Sequence, residues 1–220
     1  MKKTFSLVLC LVISSFLLTG CSDNREPFQV KSYTPDTQVK AIHLDVRDRN
    51  IEVTLSEDEQ VHLQYSENSK EYYEISVSDG GVLSMTSTSN KEWADYIGWK
   101  PSAEDRKILL QIPDALLESL TLSTTNEDIS LPSLNVSGGV NIASNGGNIR
   151  FENLGVGSTL TLNVKNGNIS GAISGSADDF SIRSETKKGK SNLPDNKEDG
   201  EKALNVSSNN GNVDIEFIKK

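Results

Sequence analysis

The sequence predicts an all-β protein whose body is a stack of coils similar to a β-solenoid. Three observations lead to this fold class. Apolar and polar residues alternate with a period of two in many short segments, as in strands that bury one face. Helical periodicity is scarce. A segment of about 20 residues recurs through the second half of the chain, and such a period is typical of stacked supersecondary units.

The N-terminal segment has the pattern of a signal peptide. Lys2 and Lys3 precede an apolar run over residues 5–18, and the run ends in Leu18-Thr19-Gly20-Cys21. A basic start, a short apolar run and small residues mark a segment that is removed from the mature protein. An uncleaved membrane anchor is the alternative, but the run is short for a spanning helix.

The tetrad that ends in Cys21 resembles a bacterial lipobox. That resemblance implies cleavage before Cys21 and attachment of lipid to its sulfur. We therefore expect a signal peptide at residues 1–20 and a lipidated cysteine with a polar tether at residues 21–36. A single β-strand-repeat domain would then follow at residues 37–220.

The charge balance of the chain limits the classes of partner that it can bind. The chain has 22 basic and 31 acidic residues, for a formal net charge of −9, and loss of Lys2 and Lys3 changes this to −11. We expect no nucleic-acid partner, because binding would need a basic surface. An acidic protein is also repelled by an anionic membrane, so the lipid would hold it there. Cys10 leaves with the signal peptide, so no free thiol remains.

In the first half, strands are predicted from alternation such as that of Ile42, Leu44 and Val46. Ile42 and Ile51 stand at the same offsets as Leu120 and Ile129 of the repeats, which suggests degenerate coils of the same stack. Further strands are predicted at residues 51–55, 61–65, 74–77, 82–85 and 107–112.

From about residue 118, five copies of the repeat begin at positions 120, 140, 160, 180 and 204. The first and third positions of each copy are apolar, so stacked copies would form two inward columns. Asn-Gly-Asn at 166–168 and 210–212 predicts sharp corners with positive φ. Antiparallel hairpins in a β-sandwich are the alternative. The predicted columns are 120/140/160/180/204 and 122/142/162/182/206.

The fourth copy departs from this pattern at residues 187–202. The stretch from Arg183 to Lys202 holds six basic and five acidic residues. These charges nearly cancel, so we interpret it as a solvated loop. A functional loop is the alternative, since insertions in repeat proteins often lie on a binding face.

No pattern of catalytic residues is recognisable, and we expect neither an enzyme nor a cofactor. His43 and His62 alternate with apolar residues, which predicts that both face solvent and form no metal site. The sequence has no nucleophile elbow and no Walker A motif. Acidic pairs at 127–128, 178–179 and 198–199 fall at different offsets and are typical of turns.

Six of the eleven aromatic residues of the mature chain lie between 65 and 99. They could cover the open end of the stack or form an exposed platform for a ligand. Trp93, Tyr96 and Ile97 have helical spacing, so we expect Trp93 to be buried in such a cap and Trp99 to lie nearer the surface. The candidate ligand contacts are Trp99, Tyr96 and Trp93.

Three of these features together resemble a bacterial family of adhesin-like β-strand-repeat domains of unknown function, related to toast-rack-like envelope domains. They are the pattern of Ile42 to Val53, the strand that ends at Pro113, and the Asn-Gly-Asn repeats. The resemblance implies a β-solenoid at the cell envelope and no catalytic residues.

The predicted function is therefore that of a lipid-anchored, extracytoplasmic protein of the cell membrane or outer membrane. It would act by binding, as an adhesin-like module that contacts glycan or matrix. The alternative is an envelope-stress sensing or regulatory component that contacts a membrane protein.

Overall fold

The computed structural model describes residues 26–93, 100–114 and 117–219. These residues form two mixed nine-stranded β-sheets, here named sheet A and sheet B. The described residues include a short 3-10 helix at Ala177–Asp179 but no α-helix. The strands are β1 (Gln29–Tyr33), β2 (Ala41–Asp45), β3 (Asn50–Leu55), β4 (His62–Glu67), β5 (Glu71–Val77), β6 (Val82–Ser89), β7 (Lys107–Ile112), β8 (Ser119–Thr124), β9 (Ile129–Leu131), β10 (Leu134–Val136), β11 (Gly139–Ser144), β12 (Ile149–Val156), β13 (Thr159–Asn166), β14 (Ile169–Ser174), β15 (Phe180–Lys188), β16 (Asn196–Lys197), β17 (Lys202–Asn210) and β18 (Val213–Ile218).

Successive repeats place one strand in each sheet and pair in parallel. Sheet A has the order β1-β4-β7-β3-β9-β12-β14-β18, with β10 beside β12, and sheet B has the order β16-β15-β17-β13-β11-β8-β2-β6-β5. In sheet B, Leu120, Val140 and Leu160 are direct neighbours. The parallel pairing confirms the predicted 20-residue register and contradicts antiparallel hairpins within the repeats.

The first half belongs to the same stack, as its offsets suggested. Ile42 lies beside Leu120, and Ile51 lies beside Ile129. On the other side of this coil, β6 and β7 pair in parallel with β2 and β3. Most apolar side chains of both sheets point inward and form one hydrophobic core.

The fourth repeat does not lie where the sequence order places it. β17 pairs directly with β13, so that Leu204 lies beside Leu160, and β15 lies outside β17. Ile182, rather than Phe180, is opposite Leu204. The predicted column order was therefore wrong. A shift by two residues keeps every side chain on the same face, so Phe180 and Ile182 are still fully buried.

Residues 187–202 are more structured than a solvated loop. Leu193 is buried in the core, and the Asn192 side chain donates to the carbonyl oxygen of Ile215 over 2.9 Å. β16 pairs antiparallel with β15. The segment therefore helps to close this end of the stack, although most of its residues are exposed.

Part of the segment predicted as a tether, residues 21–36, forms a strand. Gln29–Tyr33 form β1, which pairs antiparallel with β4 at the edge of sheet A. The five side chains of β1 are mostly exposed, so the apolar alternation that marks other strands is missing there. Its pairing depends on backbone hydrogen bonds to β4.

The Asn-Gly-Asn corners stack by hydrogen bonds between coils. The side-chain oxygen of Asn148 accepts from the backbone N–H of Asn168 over 3.0 Å, and that of Asn168 accepts from the N–H of Asn212 over 2.8 Å. A Cβ added at Gly167 would lie 2.2 Å from the carbonyl oxygen of Gly147. Close approach of neighbouring backbones therefore requires glycine here. The predicted positive φ was wrong, because none of these residues has one.

Candidate functional site

The outer faces of the two sheets differ in charge. The outer face of sheet A carries ion pairs, such as Lys107 with Glu52 at 2.5 Å and Arg150 with Asp128. The outer face of sheet B is uncharged over two rows of its four central strands, β8, β11, β13 and β17. We call this surface the neutral face. It consists of Thr121, Ser123, Asn141, Ala143, Thr161, Asn163, Asn205 and Ser207.

The register of the strands places the side chains of the neutral face in two parallel rows, which together form a grid. Thr121, Asn141, Thr161 and Asn205 lie side by side in one row. Parallel strands are about 4.8 Å apart and residues two apart along a strand about 6.6 Å, so the grid measures roughly 14 by 7 Å. Charged residues bound it on both sides, namely Asp45 on β2 and the pair Arg183 and Glu185 on β15.

The polar groups of the neutral face are free to bind a ligand. Its side chains are partly or fully exposed and make no hydrogen bond to any other described residue. Hydroxyl and amide groups both donate and accept hydrogen bonds. Such a surface can exchange its water for the hydroxyl groups of a ligand, and no buried charge has to be compensated.

A second polar region is the cleft around Arg49, which has a volume of about 460 Å³. The guanidinium is 3% exposed; it donates to Glu71 over 2.9 Å and to the Tyr73 hydroxyl over 2.5 Å. Lys91 forms a further ion pair with Glu71 at 2.6 Å. These bonds join the first coil to β5, the edge strand of sheet B.

The electrostatics of the Arg49 cleft indicate a structural role. Burial lowers the pKa of Arg49, but the neighbouring Tyr73 and Glu71 outweigh it, and the net pKa is raised. Burial raises the pKa of Tyr73. The guanidinium thus stays charged and paired, and the neutral face remains the better candidate for a binding site.

Of the sequence-predicted site residues, only Trp93 lies in the described part of the chain. Cys21, Tyr96 and Trp99 lie outside the described residues. Trp93 is 78% exposed, so the expected burial was wrong. The end of the stack is covered instead by Tyr65 and Tyr73, whose rings pack edge to face with centroids 5.2 Å apart.

The two histidines differ in exposure. His43 is exposed on the outer face of sheet B, as predicted. The His62 side chain is 29% exposed and lies 2.9 Å from both Asp58 and Thr34, so it is only partly open to solvent. The hydrogen bond with His62 is the main cause of the lowered pKa of Asp58.

The described residues show neither a metal centre nor a membrane helix. They contain no group of three or more His, Cys, Asp or Glu side chains placed to bind a metal ion. Within 26–93, 100–114 and 117–219, no helix has the length and hydropathy to cross a membrane.

The neutral face was missed in the sequence, although a signal was present. The polar positions between the apolar columns are Ser, Thr, Asn or Ala at residues 121, 123, 141, 143, 161, 163, 205 and 207. Nearly a quarter of the chain is charged, at 24%, so eight uncharged positions on one face indicate a surface that differs from the rest.

The fold is found in solved structures, while no curated protein matches the chain. A "putative cell adhesion protein" from Clostridium sporogenes has a TM-score of 0.55 at 12% identity, over 87% of this chain and 100% of that one. A "putative adhesin" from Bacteroides fragilis has a TM-score of 0.42 at 16% identity, over 88% and 98% of the two chains. In sequence, the family model described as Toastrack DUF4097 matches residues 39–219, and the chain therefore belongs to the Toastrack DUF4097 family.

Proposed function

We propose that the protein is a non-catalytic, adhesin-like binding module of the cell envelope, and that its neutral face contacts an uncharged glycan or matrix polymer. The observation that carries this proposal is the uncharged grid on a chain with a net charge of −9. The fold shared with the cell adhesion protein from Clostridium sporogenes supports it.

A neutral polysaccharide fits this surface better than a charged ligand does. The net charge of −9 on the whole chain disfavours anionic polymers, while the rows between Asp45 and Arg183 hold no cation to attract them. A polymer with regularly spaced hydroxyl groups can hydrogen-bond to several strands at once. Each bond contributes only about 0.5–1.5 kcal/mol, so affinity would depend on several contacts along one polymer.

The body presents this face as a β-solenoid-like stack at the end of a lipid anchor. In this proposal residues 1–20 are removed, Cys21 carries the lipid, and the domain of residues 37–220 stands at the extracytoplasmic side of the cell membrane or outer membrane. The lipobox-like tetrad supports the anchor. Parallel stacking of coils with a 20-residue register supports the solenoid.

Binding to polysaccharide tests the neutral face. The Cys21→Ser chain without its signal peptide would be incubated with insoluble neutral polysaccharides and with isolated cell walls, and bound protein measured by co-sedimentation. We expect Asn141→Glu with Asn163→Glu to reduce binding at least tenfold, because two carboxylates displace the grid's hydrogen-bonding groups. Thr54→Glu with Ser170→Glu adds the same charge to the outer face of sheet A and should bind normally. Equal binding by both variants would contradict the proposal.

Metabolic labelling tests the anchor. Cells fed labelled palmitate should label the wild-type chain but not the Cys21→Ser variant, because the lipid needs the cysteine sulfur. Equal labelling of the two chains would exclude the lipid anchor without affecting the polysaccharide experiment.

A sensing or regulatory role is the second candidate, and the edge of sheet B favours it. β5 pairs with β6 on one side only among the described strands, so its other edge could add a strand from a membrane protein. A photo-crosslinking residue at Glu74 on β5 should then capture a membrane protein, while one at Asp214 on β18 should not. Absence of a product from Glu74 would favour the adhesin-like role.

A further inference from the structure

One corner of the molecule joins the N-terminal entry of the chain to the segment that carries Trp93. The side-chain amide of Asn68 donates to the carbonyl oxygen of Glu26 over 3.3 Å, and the N–H of Ser69 donates to the Glu26 carboxylate over 3.2 Å. The N–H of Asn90 donates to the carbonyl oxygen of Lys70 over 3.0 Å. The turn at residues 68–70 therefore binds both segments.

This corner must lie close to the lipid if Cys21 carries the anchor. Glu26 is five positions after Cys21, and an extended chain of five residue steps spans at most about 18 Å. Trp93 is three positions after Asn90, which is about 10 Å at full extension. Trp93 is therefore within reach of the membrane surface.

The side chains of this corner suit a lipid surface. Trp93 is 78% exposed, and Val30 on the adjoining edge strand β1 is 68% exposed. Tryptophan is enriched at the boundary of headgroups and acyl chains, because its ring is apolar and its N–H needs a polar partner.

Local ion pairs reduce the repulsion that an acidic protein meets at a membrane. Glu71 is paired with Arg49 and with Lys91, and Glu67 is paired with Lys31. The carboxylates of these pairs contribute little net negative charge near Trp93, although the whole chain has a net charge of −9.

We propose that this corner docks on the bilayer that holds the anchor and that the Trp93 indole inserts at the boundary of headgroups and acyl chains. This inference rests on the proposed lipidation of Cys21. Insertion adds a second membrane contact to the lipid chains and fixes which end of the stack faces the membrane.

Quenching by brominated lipid tests the insertion. The chain has two tryptophans, so Trp99→Phe leaves Trp93 as the single fluorophore. The purified lipidated variant is reconstituted into phosphatidylcholine vesicles with plain or brominated acyl chains. We expect at least a twofold loss of Trp93 emission with the brominated lipid and a blue shift relative to the Cys21→Ser chain without vesicles. Equal emission in plain and brominated vesicles would overturn the proposal.

A matched control places the indole at the opposite edge of sheet A. Ile218 on β18 is 45% exposed, so Ile218→Trp in a Trp93→Phe, Trp99→Phe background should show no quenching. Equal quenching at both positions would mean that the body lies unselectively on the lipid, which also overturns the proposal.

Flotation with vesicles separates the two proposals. If the lipidated chain floats with the vesicles and Trp93 is not quenched, the anchor stands and the docked corner is refuted. If the wild-type chain, purified from cells, does not float, both are refuted. Quenching of Trp93 that weakens but persists in Cys21→Ser would show that the corner binds lipid by itself and would support the proposal.

Discussion

At the scale of single residues, Asp128 is the first of four side chains that stack at one corner of successive coils. The other three are Asn148, Asn168 and Asn212. The Asp128 carboxylate accepts from the N–H of Asn148 over 2.7 Å and is paired with Arg150. Burial raises the pKa of Asp128, but the bonds from Asn148 and Arg150 outweigh it and lower the pKa below its ordinary value of 3.8. The folded protein thus favours the ionised form.

The Asp128→Asn variant should separate charge from hydrogen bonding at this corner. The new amide oxygen can still accept from Asn148 but no longer attracts Arg150. Because the Asp128 side chain is 35% exposed, we expect a loss below about 1 kcal/mol at neutral pH. A lowered pKa stabilises the fold above the unfolded value, and this gain is lost as pH falls through the folded value. The difference in melting temperature should therefore vanish in acid. A difference that stays constant from pH 7 to 2.5 would contradict this.

At the scale of strands, the alternation along β13 determines which side chains can change. Leu162 is fully buried between Ile142 and Val206, while Thr161 is on the outer face. The core is therefore built from columns that cross the coils, and each column depends on every strand keeping its register.

The pair Leu162→Asp and Thr161→Asp tests that register. Leu162→Asp buries an unpaired carboxylate among aliphatic side chains and should destabilise the fold by more than about 4 kcal/mol. Thr161→Asp places the same group in solvent and should change the stability by about 0.5–1 kcal/mol at most. Thermal unfolding followed by circular dichroism distinguishes them, and similar melting temperatures would mean that the register is wrong.

Most strands and their buried faces were predictable from the sequence, but the order of the coils was not. The offsets of the apolar residues predicted that Ile42 would line up with Leu120 and Ile51 with Ile129, and they do. The same alternation does not show which copies of the repeat lie side by side, because all copies have apolar residues at the equivalent positions. It therefore could not show that β17 lies between β13 and β15.

The candidate site was harder to predict than the fold. Trp93 was expected in a buried cap because of its helical spacing, but Tyr65 and Tyr73 on β4 and β5 already cover that end. The neutral face becomes visible only once the register puts Asn141 beside Thr121 and Thr161. A binding surface built from only two residues per strand has no motif within any single strand.

At the scale of the whole molecule, the stack ends in antiparallel strands at both ends of sheet B, β5 at one end and β16 at the other. Eight strand-to-strand steps of about 4.8 Å give the sheet a width of roughly 38 Å. If the Trp93 corner docks on the membrane, β5 is the nearest strand of sheet B. The neutral face then lies further out, on β8 to β17, where it can reach a polymer beyond the membrane.

The order of the last coils can be tested with disulfides on the outer face of sheet B. Thr161 and Asn205 lie on neighbouring strands, so their Cα atoms are about 4.8 Å apart, within the range of about 4.4–6.8 Å that a disulfide needs. Arg183 lies one strand further, about 9.6 Å from Thr161, which is too far. In a chain that also carries Cys21→Ser, the pair Thr161→Cys and Asn205→Cys should therefore oxidise to a disulfide that mass spectrometry can detect. The pair Thr161→Cys and Arg183→Cys should stay reduced, because the inserted β17 separates the two thiols. The opposite result would mean that the repeats stack in sequence order and that the C-terminal strands form the outermost coil.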